Sequence, residues 1–232
     1  MTSQVVMICG GRGTRWPGRP PGLPKSMVEL RGEPLVGRLW RQLARFHTSS
    51  APPVFVVAAG EPMVPAFVAA TIPSATIVTQ PAPDGVANAV RLALDHVIGP
   101  ALVVLGDIVI DGELTQPPPT APALVIWRDA PPAVTMRNFG IRVDAGGAPE
   151  ALIEKPVDAS GLVCGLGLYW LTPEVIERLG EAPVNPRTQE REITSSLAFA
   201  MQGTRFGVWD FTGRYFNLNT AADLADAEAA IT

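Results

Sequence analysis

Cysteine, histidine and lysine are nearly missing from this chain of 232 residues, with two of each. Cys9 and Cys164 stand far apart, with no CxxC pair and no Cys/His cluster beside them. That spacing argues against a disulfide framework or a zinc site and leaves two free thiols, the ordinary state in a reducing compartment. His47 and His96 lie after one helical segment and within another, away from every segment that carries chemistry, so structural or solvent-exposed positions are expected for both. Charge is also sparse: 17% of residues are charged and the net charge is −4, which offers no basic surface to a nucleic acid. Long apolar runs are absent. Residues 4–9 (QVVMIC) run straight into glycines, too soon for a signal sequence, and no stretch approaches the ~20 apolar residues of a membrane span. A cytoplasmic protein without a nucleic-acid or membrane partner is expected, and the oligomeric state is not legible.

What is present is a hydrophobic content of 47%, enough for one substantial core, with 24 prolines and 22 glycines scattered between apolar runs. The most proline-rich patch, residues 116–122 (QPPPTAP), reads as a rigid surface loop. The length fits one α/β domain over residues 1–232. The scarcity of lysine carries information of its own. Of 18 basic residues, 16 are arginine, and the two lysines, Lys25 and Lys155, each adjoin a proline, in LPK and EKP. A compact ammonium on a thin stem reaches a phosphate that a planar guanidinium cannot, which gives a geometric reason for lysine at these two points.

Periodicity gives a coarse outline. Short apolar runs at 4–9, 54–59, 75–80 and 101–107 read as buried strands, and helical spacing appears at 34–46, 62–70 and 85–97. Strands alternating with helices imply parallel βαβ units, whose ligands bind beyond the C-terminal ends of the strands. From residue 123 the strands come in closer succession, at 123–127, 139–144, 151–156 and 166–171, which implies mixed or antiparallel pairing forming a lid or floor over the first half. Helices at 173–179 and 192–202, a strand at 206–211 and a helix from about 221 complete the outline.

The first strand opens into Cys9-Gly10-Gly11-Arg12-Gly13-Thr14-Arg15, where three glycines let backbone N–H groups turn inward around an anion. Pro24-Lys25 follows, then Gly32-Glu33-Pro34-Leu35 at the head of a helix. In this order GGxGTR, PK and GxPL resemble the sugar nucleotidylyltransferase (NTP-transferase) family, and the resemblance runs through nearly the whole chain. It implies a Rossmann-like doubly wound mixed sheet with a smaller acceptor-binding β subregion, residues 1–114 mainly binding NTP and 115–232 mainly binding the acceptor.

By the same resemblance, Gly10, Gly11, Gly13, Thr14 and Arg15 cradle the triphosphate, while Gln80 and Gly85 of QPAPDG read the nucleobase edge. An amide can pair with any base, so the base itself stays open. Asp107, at the end of a strand after Leu105-Gly106, corresponds to the family's Mg²⁺ ligand, although an Asp there can also cap a helix. Glu154 and Lys155 of EKP, together with Gly140 and Tyr169, correspond to acceptor-binding positions. The segment Tyr215-Phe-Asn217-Leu-Asn219-Thr220-Ala-Ala-Asp223 stands where many members carry D-x-G-T, and the acidic residue is missing. Either Asn217 or Asn219 can be the second metal ligand. Trp16 replaces an aliphatic residue of the family loop.

The chemistry implied is in-line attack by an acceptor phosphate on the NTP α-phosphorus, aided by Arg15, Lys25, Asp107 and Mg²⁺, with a sugar 1-phosphate as acceptor. The competing readings are a cytidylyltransferase acting on a phosphonate, phosphocholine or other non-sugar acceptor, and a non-catalytic sensor of nucleotides or sugar nucleotides. A molybdopterin guanylyltransferase fits the spacing of GGRGTR and PK less well.

Overall fold

The run Gln4–Ile8 is buried at all five positions, as a strand covered on both faces must be. It is the first strand of a computed structural model that describes residues 2–10, 16, 20, 22–115 and 118–231. The first half holds β1 (Gln4–Ile8), β2 (Glu29–Leu30), β3 (Glu33–Pro34), α1 (Leu35–Leu43), β4 (Val54–Ala58), α2 (Met63–Thr71), β5 (Thr76–Gln80), α3 (Val86–Leu92), β6 (Ala101–Leu105) and β7 (Ile108–Leu114). The second holds β8 (Ala123–Trp127), α4 (Pro132–Arg137), β9 (Phe139–Val143), β10 (Pro149–Glu154), β11 (Val163–Leu171), α5 (Pro173–Leu179), α6 (Ile193–Met201), β12 (Gly207–Asn217) and α7 (Ala221–Ala230).

The main sheet runs β5-β4-β1-β6-β11-β8-β12-β7. Strands β5, β4, β1 and β6 are parallel, whereas β11 pairs antiparallel with β6 and with β8. One apolar layer packs β1 residues Val5 and Met7 against α1 and α2 through Val36, Leu39, Val64 and Val68. The alternate β1 residues, Val6 and Ile8, face a second layer with α3, α5 and α6, through Val90, Ile176 and Leu197. Successive strand residues point to opposite faces, so two apolar layers clothe one sheet, the Rossmann-like arrangement.

The second-half strands do not form the lid expected of them. Strands β8, β11 and β12 continue the same sheet, and only the β9–β10 hairpin leaves its path, attached through β9 to β11. Strand β12 is also longer than the apolar run FGVWDF implied. Its first part pairs parallel with β8, and Phe211 to Asn217 pair antiparallel with β7, so polar residues remain in register on an edge pairing that hydrophobic pattern does not report. A small third cluster lets α7 and the β2–β3 hairpin share Leu30, Leu35, Leu218, Ala227 and the unusual Trp16, which is buried.

Gly106 sets how closely the end of β6 approaches its neighbours. A Cβ there would lie 2.9 Å from the Ile8 carbonyl oxygen, 3.1 Å from Cys9 Sγ and 3.2 Å from Ser26 Cβ. The missing side chain is what allows the turn carrying Lys25 and Ser26 to sit against the residue before Asp107. His47 is structural: its Nδ1 accepts a hydrogen bond from the Val5 N–H at 3.3 Å, and partial burial lowers its pKa.

Two outcomes follow. Gly106→Ala should lower the unfolding free energy by about 1–3 kcal/mol because backbone atoms must shift, and an unchanged denaturation midpoint would show that the close approach is unimportant. His47 binds a proton less readily when folded, so its contribution is fully present above the unfolded imidazole pKa of about 6.5 and is lost as pH falls through the lower folded value. Stability measured from pH 7.5 to 5 should decline less in His47→Gln than in the parent protein, and identical slopes would contradict this.

Candidate active site

Three segments distant in sequence meet beyond the C-terminal ends of β1 and β6. A 3-10 turn at Lys25–Met27 begins after Pro24, whose fixed backbone starts the turn, and leaves Lys25 and Ser26 buried. Asp107 follows β6, and the β7–β12 ladder pairs Ile108 with Asn217. That register extends one step further, with the Leu218 N–H donating to the Asp107 carbonyl at 3.0 Å, so Asn219 arrives beside Asp107.

The Lys25 ammonium closes the arrangement. It donates to Asp107 Oδ2 at 3.1 Å and to Asn219 Oδ1 at 2.8 Å, with only 9% of its side chain exposed. From Asn219 a relay of amides continues: Asn219 Nδ2 donates to Asn217 Oδ1 at 3.1 Å, and Asn217 Nδ2 to Asn138 Oδ1 at 3.1 Å. Asn138 Nδ2 ends the relay on the Val134 carbonyl at 2.9 Å. Each amide is oriented by its neighbours, so Asn219 turns its oxygen and not its NH2 to the ammonium. Asn219 therefore shares a cation with Asp107, while Asn217 stands one residue behind.

Asp223 holds this turn in place. Its Oδ2 accepts from the backbone N–H groups of Asn219 and Thr220, at 2.9 and 2.8 Å, and from the Thr220 hydroxyl at 2.9 Å. The Thr220 side chain in turn accepts from the Asp223 N–H at 3.2 Å, a capping box that starts α7.

Lys25, Asp107, Asn138, Asn217 and Asn219 line a cavity of about 210 Å³. Glu154, Lys155, Tyr169 and Thr194 also line it, and Glu154 Oε2 accepts from the Thr194 hydroxyl at 2.7 Å. Apolar floor is supplied by Val86, Phe139 and Ile193. Burial drives the Tyr169 hydroxyl well above the usual phenol range, with the Glu154 and Asp107 charges adding to it, so this group is a neutral partner. Tyr215 behaves alike through burial, its hydroxyl accepting from the Gly167 N–H at 3.2 Å. Burial also pushes the Cys9 thiol up to about 12, which keeps it from acting as a nucleophile near neutral pH.

The other sequence-derived positions fall in three places. Gly11, Gly13, Thr14 and Arg15 lie outside the described residues. Gln80 is buried at the end of β5 beside Gly10, and its Nε2 donates to Asp84 Oδ1 at 2.7 Å and to the Gly85 carbonyl at 3.1 Å. Gly85 has a positive φ of 110°, and the backbone of Arg191 occupies the space where a Cβ would stand, so its close approach is to the chain itself. Gly140 faces Leu162 from within β9, and its neighbours Asn138 and Phe139 line the cavity.

Ser26, Arg137, Asn138, Thr194 and Tyr215 were not singled out from sequence, yet all line the cavity. Ser26 and Asn138 adjoin segments read as chemical and Tyr215 opens one, which is a usable signal. Thr194 and Arg137 had none, because only tertiary structure brings them in.

Two oxygen donors, one carboxylate and one amide, converging on a single positive charge form a donor set suited to a hard divalent cation. Among the described residues no group of three or more His, Cys, Asp or Glu side chains forms a metal cluster, so substrate oxygens and water would have to complete any coordination. No helix among them is long and apolar enough to cross a membrane.

Residues 5–117 match the MobA-like NTP transferase domain family. The chain is 23% identical over 234 residues to the bifunctional protein GlmU of Methanococcus aeolicus, covering 98% of the chain and 54% of that protein. It is 24% identical over 222 residues to GlmU of Methanocaldococcus jannaschii, covering 92% and 52%. The chain thus spans about half the length of the curated relatives it matches. Its fold is that of a putative glucose-1-phosphate thymidylyltransferase from Bacillus anthracis, solved in complex with a sucrose, with a TM-score of 0.78, 15% identity and coverage of 98% and 94% of the two chains. A UDP-glucose pyrophosphorylase complexed with UDP-glucose gives a TM-score of 0.79, 18% identity and coverage of 99% and 98%. Its matched domain, its relatives and its fold together make the chain similar to nucleotidyltransferases of the sugar-nucleotide type.

Proposed function

We propose that the protein transfers a nucleoside monophosphate from an NTP to a sugar 1-phosphate and releases pyrophosphate. The observation that carries this reading is the meeting of Lys25, Asp107 and Asn219 on one point beside a cavity that Glu154 and Lys155 also line. A phosphate monoester is already a competent nucleophile near neutral pH, so neither a general base nor a covalent intermediate is needed. One acceptor oxygen forms a bond to the α-phosphorus as the bond to the β-phosphate oxygen breaks, and the electron pair leaves with pyrophosphate. Catalysis is then alignment and charge stabilisation.

Within that scheme Lys25 follows the charge that gathers on the leaving pyrophosphate, assisted by Arg15 and by backbone groups of Gly10, Gly11, Gly13 and Thr14. Asp107 and Asn219 hold Mg²⁺, and Asn217 orients Asn219. When bound, the ion neutralises charge on the phosphate oxygens. Gln80 and Gly85 face the nucleobase, Lys155 binds the acceptor phosphate, and Glu154, Gly140 and Tyr169 shape the acceptor pocket. One observation favours a second reading of the acceptor. Val86, Phe139 and Ile193 add apolar side chains to the lining, which suits a non-sugar phosphate or phosphonate with cytidine triphosphate as donor.

Pyrophosphate release should therefore be measured with Mg²⁺, each NTP, and a panel of glucose 1-phosphate, N-acetylglucosamine 1-phosphate, phosphocholine and a simple phosphonate. Turnover with a sugar 1-phosphate is the expected outcome. NTP binding without turnover on any acceptor would favour a sensor. Lys25→Ala and Asp107→Ala should each lower kcat by about 10² or more, and near-normal turnover in either would remove its assignment. Asn219→Ala should raise the Mg²⁺ concentration needed for half-maximal rate by about 10-fold or more. A larger effect from Asn217→Ala would reverse the order of the two amides.

A further inference from the structure

We propose that Arg137 is a second cation for the acceptor phosphate, acting with Lys155 as a two-armed clamp at the cavity mouth; the inference rests on the transfer reading above. The β9–β10 hairpin places the two side by side. Its ladder pairs Glu154 with Phe139, and one further bond, from the Lys155 N–H to the Asn138 carbonyl at 2.8 Å, sets Lys155 against the residue next to Arg137. Lys155 takes this position with a φ of 44°, a left-handed conformation uncommon for any residue but glycine and retained where the surroundings enforce it.

Both cations border two spaces. They line the reaction cavity and also an adjoining cavity of about 750 Å³, which shares Asn138, Tyr215, Asn217 and Asn219 with the first. Arg137 and Lys155 thus border both spaces, as do the three relay amides Asn138, Asn217 and Asn219.

Nearby carboxylates leave this pair incompletely neutralised. Glu154 is held by Thr194 and comes no closer than 3.9 Å to the Lys155 ammonium. Asp223 spends Oδ2 on three donors of the Asn219–Thr220 turn, and only Oδ1 meets the Arg137 guanidinium, at 3.3 Å. Asp226 also lines the larger cavity and has no hydrogen bond to either cation among the described residues. The Arg137 side chain is 74% exposed, so its fork remains open to an incoming anion. Both cations border the same two cavities, and a dianion held between them would be attracted by each. A phosphate monoester has the charge, and its oxygens match both the planar fork of arginine and the point charge of lysine.

The clamp is tested by equilibrium binding, which does not depend on turnover. Titration calorimetry would follow glucose 1-phosphate, and phosphorus NMR would follow methyl phosphate, in the parent protein, Arg137→Gln, Arg137→Lys and Lys155→Gln. Loss of one charge-assisted contact should weaken both ligands about tenfold or more in Arg137→Gln, with Arg137→Lys recovering part of the loss and NTP binding unchanged within about twofold. Because this side chain is mostly exposed, a matched thermal midpoint should confirm that the variant is folded. Unchanged affinity in folded Arg137→Gln, equal weakening of NTP and phosphate ester, or no binding of either ester by the parent protein would each overturn the clamp. Failure of the transfer reading is separate: it would appear as absence of pyrophosphate release by a parent protein that still binds these esters through Arg137.

Discussion

A nearly buried ammonium must have oxygen partners, and the site is organised around that requirement. Lys25 finds its partners on two segments that have no sequence proximity to it, Asp107 after β6 and Asn219 after β12. Removing an ammonium from water costs several kcal/mol unless hydrogen-bonded opposite or partial charges replace the solvent. The fold therefore cannot place Lys25 at this depth without also bringing the carboxylate and the amide to it. Ligand chemistry exploits the same condition, since oxygens that satisfy a lysine cation are also the kind that satisfy a hard metal ion.

The surrounding structure keeps those oxygens in register. Gly106 lets the lysine turn approach β6, the β7–β12 ladder carries Asn217 to the level of Ile108, and the capping box of α7 holds the turn at Asn219. Asp223 has a part in this that sequence comparison alone obscures. Where the resemblance pointed to a missing acidic residue in the NLNT segment, a carboxylate four residues after Asn219 is present, and it organises the backbone of the turn. An amide that is oriented on both sides, by Lys25 and by Asn217, presents one defined oxygen despite being a weaker ligand than a carboxylate.

The first half of the fold was legible because buried parallel strands are nearly continuous apolar runs, and β1, β4, β5 and β6 differ from expectation by only a residue or two at their ends. Helices read as single long segments end earlier, as with α1 and α3, each of which passes into a 3-10 turn. Missing from the reading were the β2–β3 hairpin, β7, the short helix α4 and the polar end of β12. Their pairing is decided by register and by the tertiary neighbour, and a pattern of one polar face at a sheet edge carries little periodic signal. Much the same division holds in the site. Lys25, Asp107, Glu154, Lys155 and Tyr169 were visible as unusual residues in recognisable segments and lie around one cavity. Thr194 and Arg137 come from α6 and α4, whose sequences have no chemical signature, and only packing brings them to it. At Gly85 the bare Cα is also required by the fold itself, because the Arg191 backbone packs where a Cβ would stand.

In the proposed mechanism Asp107 and Asn219 form the protein's share of a cation site on which a triphosphate is held. Crystals of the protein grown with Mn²⁺ and a non-hydrolysable NTP analogue test it directly through the anomalous scattering of manganese. The account predicts one strong peak within coordination distance of Asp107 and Asn219 and of the analogue's phosphate oxygens, with the Lys25 ammonium turned to the phosphates. An ordered triphosphate whose manganese lies away from both side chains, with Lys25 still bonded to Asp107 and Asn219, would contradict it.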